Sequence, residues 1–212
     1  MAKPYGNMPG CSGHIHVSLS SLTNPSNLFT ASGSGEMNDL LRHFIAGLMQ
    51  GMPSIMPILA PNINSYKRLV ENFFAPVNIS YGFENRTAAI RIICPPTCPP
   101  EATRLEMRVS GADVNPYLAI AAVLGCGYYG IVNKLEPVSP PIGDSLSNLK
   151  EMKRLPLTLR DATDKMTEKD SIARKVLGDA FVEHYAATRI HECIQYERAV
   201  TNWELARYIE LA

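Results

Sequence analysis

The sequence predicts an α+β fold, with strands and helices mixed in its first part and an all-helical tail. Three observations carry this. Residues 11–19 and 104–109 alternate apolar and polar side chains, the period of a half-buried strand, and 86–93 is a further strand candidate. Residues 40–49 carry apolar side chains at helical spacing, and Asn115 with Pro116 opens a second helix that is apolar nearly all round. From Thr158 onward the spacing is helical throughout, so strands and helices do not alternate as regular βαβ units.

The elements follow in chain order. In "CSGHIHVSL" (11–19), His14, His16 and Ser18 share one strand face and Ile15, Val17 and Leu19 the other. Residues 20–36, rich in Ser, Thr, Asn and Gly, read as a loop or hairpin. Leu40, Leu41, Phe44, Ile45, Leu48 and Met49 form one helical stripe, which Pro53 and Pro57 are expected to break. Residues 61–69 read as irregular or weakly helical, and 72–82 carry Pro76 and then a short alternating stretch. "RTAAIRII" (86–93) is a strand, ended by the proline-rich "CPPTCPPEA". Asn115 and Pro116 fit the cap and first position of a helix reaching about Lys134. That helix is apolar nearly all round and is expected to be buried. Residues 136–145 form a loop. In the tail, Asp170 or Ser171 starts one segment and Asp179 a longer one, while Thr201 and Glu204 make a capping box for the last helix.

"RLEMR" (104–108) is the most informative strand. Alternation puts Arg104, Glu106 and Arg108 on one face and Leu105, Met107 and Val109 on the other. The apolar face needs a core. The charged face meets either water or a site that uses two positive charges and one negative.

Composition narrows the function classes. A chain of 212 residues with 46% hydrophobic side chains makes one domain, at most one and a half, with a sizeable core. Twenty basic and twenty acidic residues cancel, and no basic stripe stands out, so neither nucleic acid nor an anionic membrane is an expected partner. Five cysteines without framework spacing point to a reduced, cytoplasmic setting. The opening "MAKPYGNMPG" has no apolar signal core, and the apolar run Tyr117–Val132 is interrupted by three glycines and too short to span a bilayer.

Several side chains have types suited to chemistry. His14 and His16 are imidazoles on one strand face, suited to a divalent metal and equally to an ordinary strand. Glu106 is either one rung of a surface ion-pair ladder or a metal ligand flanked by anion clamps. Arg68, Arg86, Arg91, Arg104 and Arg108 share this stretch with only Glu71, Glu84, Glu101 and Glu106, none of which is expected to pair plainly with more than one arginine. Such an excess suits a strongly anionic ligand, with surface scatter as the alternative. Cys94 and Cys98, separated by "PPT" and without a second pair, do not read as a zinc site. His43, His184 and His191 read as structural.

Five stretches in this order, "PGCSGHIHVS", "NSYKRLV", "APVNISYGFENRTAAIRI", "TRLEMR" and "ADVNPYLAIAA", resemble the glutamine synthetase family from about Gly10 to Leu135. The chain looks most like the glutamine-synthetase-like branch that joins glutamate to amines. The resemblance implies the family's catalytic-domain fold, with antiparallel strands packed against helices and a helical C-terminal tail. It implies that residues 1–212 are the C-terminal part of that domain, without the N-terminal β-grasp domain and first catalytic strands.

The activity so implied is ATP-dependent ligation of the glutamate γ-carboxylate to ammonia or an organic amine through a γ-glutamyl phosphate. ATP and Mg²⁺ or Mn²⁺ are the implied cofactors, glutamate and an amine the substrates, and a ring-shaped homo-oligomer the implied assembly. His14 and Glu106 match metal ligands. His16, Arg91 and Arg104 match nucleotide contacts. Gly10, Arg68 and Arg108 match the substrate side, and Arg68 and Arg86 match catalytic contacts to the transferred phosphate.

Two positions depart from the ammonia-using pattern. Phe74 stands before "AP" where those members carry a glutamate that helps bind and deprotonate ammonium, and Pro9 replaces an asparagine. A phenyl ring can line a pocket for an organic amine. A catalytically inactive scaffold of the same fold is the alternative.

Overall fold

A computed structural model describes residues 1–30, 33, 35–71, 75–143 and 152–211. Four strands, β1 (Ile15–Val17), β2 (Tyr81–Phe83), β3 (Ile90–Ile93) and β4 (Arg104–Met107), form one sheet in the order β1-β4-β3-β2. The pairs β1–β4 and β3–β4 are antiparallel, as expected. The β2–β3 pair is parallel, so the sheet is mixed. The short link between β2 and β3 opens at Glu84, whose left-handed backbone (φ 52°) helps turn the chain back.

Register decides which face does what. Ile90 lies opposite Met107 and Ile92 opposite Leu105, and all four are fully buried. The intervening positions bring His16 and Arg91 opposite Glu106 from the two sides. One face therefore closes a core and the other gathers charge, because side chains alternate along every strand.

Helix α1 (Asp39–Leu59) forms the centre of that core. Asn38 caps it by accepting the Leu41 N–H at 2.9 Å. The expected break at Pro53 and Pro57 does not occur, because the helix runs through both. Two lost backbone hydrogen bonds are costly. They are outweighed by burial, since Ile55, Met56, Ile58 and Leu59 are all at 1% exposure or less. Within residues 61–69, expected to be irregular or weakly helical, a single turn forms, α2 (Ile63–Tyr66), closed by an Asn62–Ser65 capping box.

Helix α3 (Pro116–Val132) starts where expected, with Asn115 accepting from the N–H groups of Tyr117 and Leu118. It is not buried all round. Ala119, Ala122, Cys126, Gly127 and Gly130 face the core, while Tyr117, Ile120, Leu124, Tyr128 and Val132 are exposed. The reason is that α3 presents its small residues to α1, and no described element covers its outer side. Gly47 and Gly130 let the two backbones touch: a Cβ on Gly130 would sit 2.7 Å from the Gly47 Cα.

The tail is helical as expected, with α4 (Leu159–Thr167), α5 (Ile172–Leu177), α6 (Asp179–Arg198) and α7 (Asn202–Tyr208). Thr158 and Ser171 cap α4 and α5, and Thr201 with Glu204 forms the predicted box on α7. No helix among the described residues is long and apolar enough to cross a membrane.

All five cysteines are free. Cys126 is packed so tightly that a Cβ on Gly51 would lie 2.5 Å from its sulfur. Burial pushes its thiol up from 9.0 to about 12. A buried thiol stays protonated where the unfolded thiol ionises, so its contribution is complete below pH 9 and is lost as pH rises toward 12. Between those limits the wild type should lose about 1.4 kcal/mol per pH unit more than Cys126→Ala. Urea unfolding of both proteins from pH 8 to 10.5 checks this; parallel profiles would refute it.

Candidate active site

Glu106 sits at the centre of the charged sheet face, on the middle of β4, and is 3% exposed. Its Oε1 accepts from Arg108 NH1 at 2.6 Å and contacts His14 Nδ1 at 2.6 Å. Its Oε2 accepts from Arg91 NH1 at 3.1 Å. The expectation that no acid pairs with more than one arginine is therefore wrong: Glu106 bridges Arg91 and Arg108. The cross-strand register brings Arg91 alongside, which sequence separation conceals.

Burial alone would raise the Glu106 carboxyl, but Arg108, Arg91 and His14 outweigh it and hold it below the usual range. His14 moves down as well. Its causes are burial and the Arg108 charge, with Glu106 opposing them. At neutral pH a neutral His14 imidazole thus faces an ionised Glu106, the protonation states that metal ligation requires.

Arg91 is held at both ends. NH1 reaches Glu106, and NH2 donates to Glu84 Oε2 at 2.6 Å. Burial disfavours its charge, yet the hydrogen bonds to Glu84 and Glu106 raise its pKa overall. The other Glu84 oxygen, Oε1, accepts from the Cys94 backbone N–H at 3.1 Å. Glu84 was not singled out in the sequence as a site residue. Its one signal is a charged residue within the otherwise neutral "YGFEN" (81–85).

Arg108 is lowered by burial and by Arg91 and Arg86, with Glu106 compensating in part. Arg86 itself is exposed on the β2–β3 link, and its charge reaches Arg108. Arg104 donates through Nε to His16 Nδ1 at 3.3 Å and through NH1 to Ala102 O at 3.0 Å. Arg68 arrives from the segment after α2, is 3% exposed, and donates to Val109 O. Burial lowers it to about 10, with Arg108 contributing and Asp113 opposing. Gly10 lies against it: a Cβ there would meet Arg68 Cγ at 2.6 Å and Ala2 O at 2.5 Å.

The structure therefore brings His14, His16, Arg91, Arg104, Glu106 and Arg108 onto one sheet face, with Arg68 and Gly10 joined to it through Val109 and Arg86 through its charge. Phe74 lies outside the described residues. Guanidinium groups outnumber carboxylates, and the buried Nε atoms of Arg68, Arg91 and Arg108 have no hydrogen-bond partner among the described residues. A buried cation with spare donors is costly unless an anion meets it, so the cup suits phosphate or carboxylate.

His14 and Glu106 fit a divalent cation as a pair of N and O donors. No group of three or more His, Cys, Asp or Glu among the described residues could hold one, so the chain offers part of a ligand set. A cavity of about 640 Å³ lined by Ser54, Arg154, Lys165 and Glu168 shares no residue with this cup.

The family model for the glutamine synthetase catalytic domain matches residues 1–208. A type-1 glutamine synthetase 2 of Dictyostelium discoideum is 44% identical, over 100% of this chain and 40% of its own length. A glutamate–isopropylamine ligase of a Pseudomonas species is 41% identical, over 100% of this chain and 45% of its own. A solved structure described as a GmaS/ADP complex superimposes with a TM-score of 0.83 at 30% identity, covering 99% of this chain and 48% of that one. The chain spans less than half the length of the curated relatives named here. It belongs to the glutamine synthetase family, and matches that family's catalytic domain.

Proposed function

We propose that this chain forms part of the active site of an ATP-dependent ligase that joins the glutamate γ-carboxylate to an amine. The observation that carries the proposal is the cationic cup, in which arginines with spare buried donors surround an ionised Glu106 and a neutral His14. Two anions, the triphosphate and the γ-carboxylate, must approach each other here, and fixed positive charge offsets their repulsion. The named relative that ligates isopropylamine supports an organic amine as acceptor, as does Phe74 in the sequence.

In this reading a γ-carboxylate oxygen of glutamate attacks the terminal phosphorus of ATP, and the bond to the bridging oxygen breaks to release ADP. The amine nitrogen then attacks the carboxyl carbon of the γ-glutamyl phosphate, the carbon–oxygen bond to phosphate breaks to release inorganic phosphate, and the nitrogen loses a proton. Arg68, Arg108 and the Gly10 backbone hold the glutamate side. Arg91, Arg104 and His16 hold the nucleotide side. Arg68 and Arg86 neutralise the phosphoryl group in flight. His14 and Glu106 would hold a Mg²⁺ or Mn²⁺ ion, which supplies Lewis-acid charge neutralisation when bound. The family-wide ring assembly and a cytoplasmic setting belong to the same proposal.

The second reading is a scaffold of this fold that binds without turnover. The two separate in a coupled assay of the intact protein with L-glutamate, ATP, Mg²⁺ or Mn²⁺ and a panel of ammonia, alkylamines and diamines. The ligase reading expects amine-dependent ADP release above the glutamate-free background, with an organic amine preferred over ammonia. Nucleotide binding without ADP release for any amine would establish the scaffold.

A further inference from the structure

Asp113, on the turn between β4 and α3, is absent from the functional assignments above, yet it joins three separate parts of the chain. Its Oδ2 accepts from Asn62 Nδ2 at 2.8 Å, from Ser65 Oγ at 3.0 Å and from the Ala2 backbone N–H at 3.3 Å. Asn62 and Ser65 are the two members of the capping box of α2. Asn62 Oδ1 accepts the Ser65 N–H at 3.0 Å while its amide nitrogen points to Asp113. Ser65 Oγ accepts the Asn62 N–H at 3.3 Å while its proton goes to Asp113. One carboxylate oxygen therefore orients both halves of the box.

That matters because α2 is only four residues long. A single turn has no stability of its own, since nucleation outweighs its few hydrogen bonds. Its persistence depends on tertiary anchors. Asp113 is one, and the paired contacts of Asn64 with the Lys3 backbone are another: Lys3 N–H to Asn64 Oδ1 at 2.8 Å and Asn64 Nδ2 to Lys3 O at 2.9 Å. The residue delivered by this turn is Arg68, whose N–H still bonds back to Ser65 O at 3.3 Å. Asp113 also acts on Arg68 through charge, as the larger of the two influences opposing its loss of protonation.

We propose that Asp113 is a positioning residue that ties α2 and the N-terminal segment to the β4–α3 turn and so fixes Arg68 on the glutamate side of the cup. The assignment of Arg68 to glutamate rests on the function proposed above; the clamp itself rests on geometry alone. Asp113 touches no reacting group. Its effect on ligand binding passes through Arg68.

Hydrogen exchange on the intact protein, together with separate titrations of L-glutamate and ATP, tests this. In Asp113→Ala the amides of Ser65, Arg68 and Leu69 should exchange about tenfold faster, with those of the β3–β4 ladder within about threefold of wild type. L-Glutamate affinity should fall about tenfold while ATP affinity stays within about threefold. Asp113→Asn keeps an oxygen for Asn62 and Ser65 but removes the charge. It should restore slow exchange and recover part of the glutamate affinity, and it carries the test if the alanine variant does not fold.

Exchange that accelerates equally across the sheet would overturn the proposal, as would equal losses for glutamate and ATP, or unchanged exchange around α2. A wild type that binds no L-glutamate, with the local exchange pattern intact, would support the clamp and sink the ligase reading instead.

Discussion

Replacing Glu106 by alanine should destabilise the protein by about 3–5 kcal/mol, the usual cost of stranding buried charges by removing their common partner. Glu106 is the anion that bridges Arg91 and Arg108, whose side chains are 15% and 8% exposed. Without it, both guanidiniums face each other across the strand pair with repulsion in place of attraction. Arg91 keeps Glu84, whereas Arg108 loses its one carboxylate partner among the described residues. Glu106→Gln keeps the shape and an acceptor oxygen, so its cost should be smaller, about 2 kcal/mol. If the proposed ligase reading holds, both variants of the intact protein should lose about 10²–10³-fold in turnover, because a neutral side chain would no longer balance the cup or hold a cation. Urea denaturation measures the first effect and coupled ADP release the second. An alanine variant within about 1 kcal/mol of wild type would mean that the two arginines find other anions and that Glu106 does not organise the site.

Gly130→Ala should destabilise the fold by about 3 kcal/mol, although alanine is the better helix former by about 1 kcal/mol. The added Cβ would meet the His43 carbonyl oxygen and lie 2.7 Å from both Cα and N of Gly47. These are backbone atoms of α1, so no rotamer change relieves the clash. The helices must part, which opens voids where Phe44 and Cys126 now pack. Gly6→Ala is the control, since a Cβ there meets nothing within 4 Å. Thermal unfolding of the two variants should separate them clearly. A Gly130→Ala protein as stable as wild type would show that the α1–α3 crossing has slack.

Much of the fold was legible because local chemistry and tertiary structure agreed. Asn115 with Pro116, Thr158, Ser171, and Thr201 with Glu204 start helices where their side chains satisfy the first free N–H groups. The alternation in "RLEMR" placed Glu106 and both arginines on one face, where they lie. Failures fell where long-range packing overrode local rules. Pro53 and Pro57 stop an isolated helix, but here the surrounding core keeps α1 continuous. The near-uniform apolarity of α3 implied burial on every side, but it packs against α1 and α5 and leaves its other side exposed.

The candidate site divides in the same way. Residue types and their strand parity are written in the chain itself, because a side chain's face follows from its position along its own strand. The pairing of Arg91 with Glu106, the arrival of Arg68 beside Gly10, and the reach of Asp113 to Ala2, Asn62 and Ser65 are not. They depend on strand register and on how separate segments meet. These are set by the free energy of the whole packed core, and no single segment carries that information.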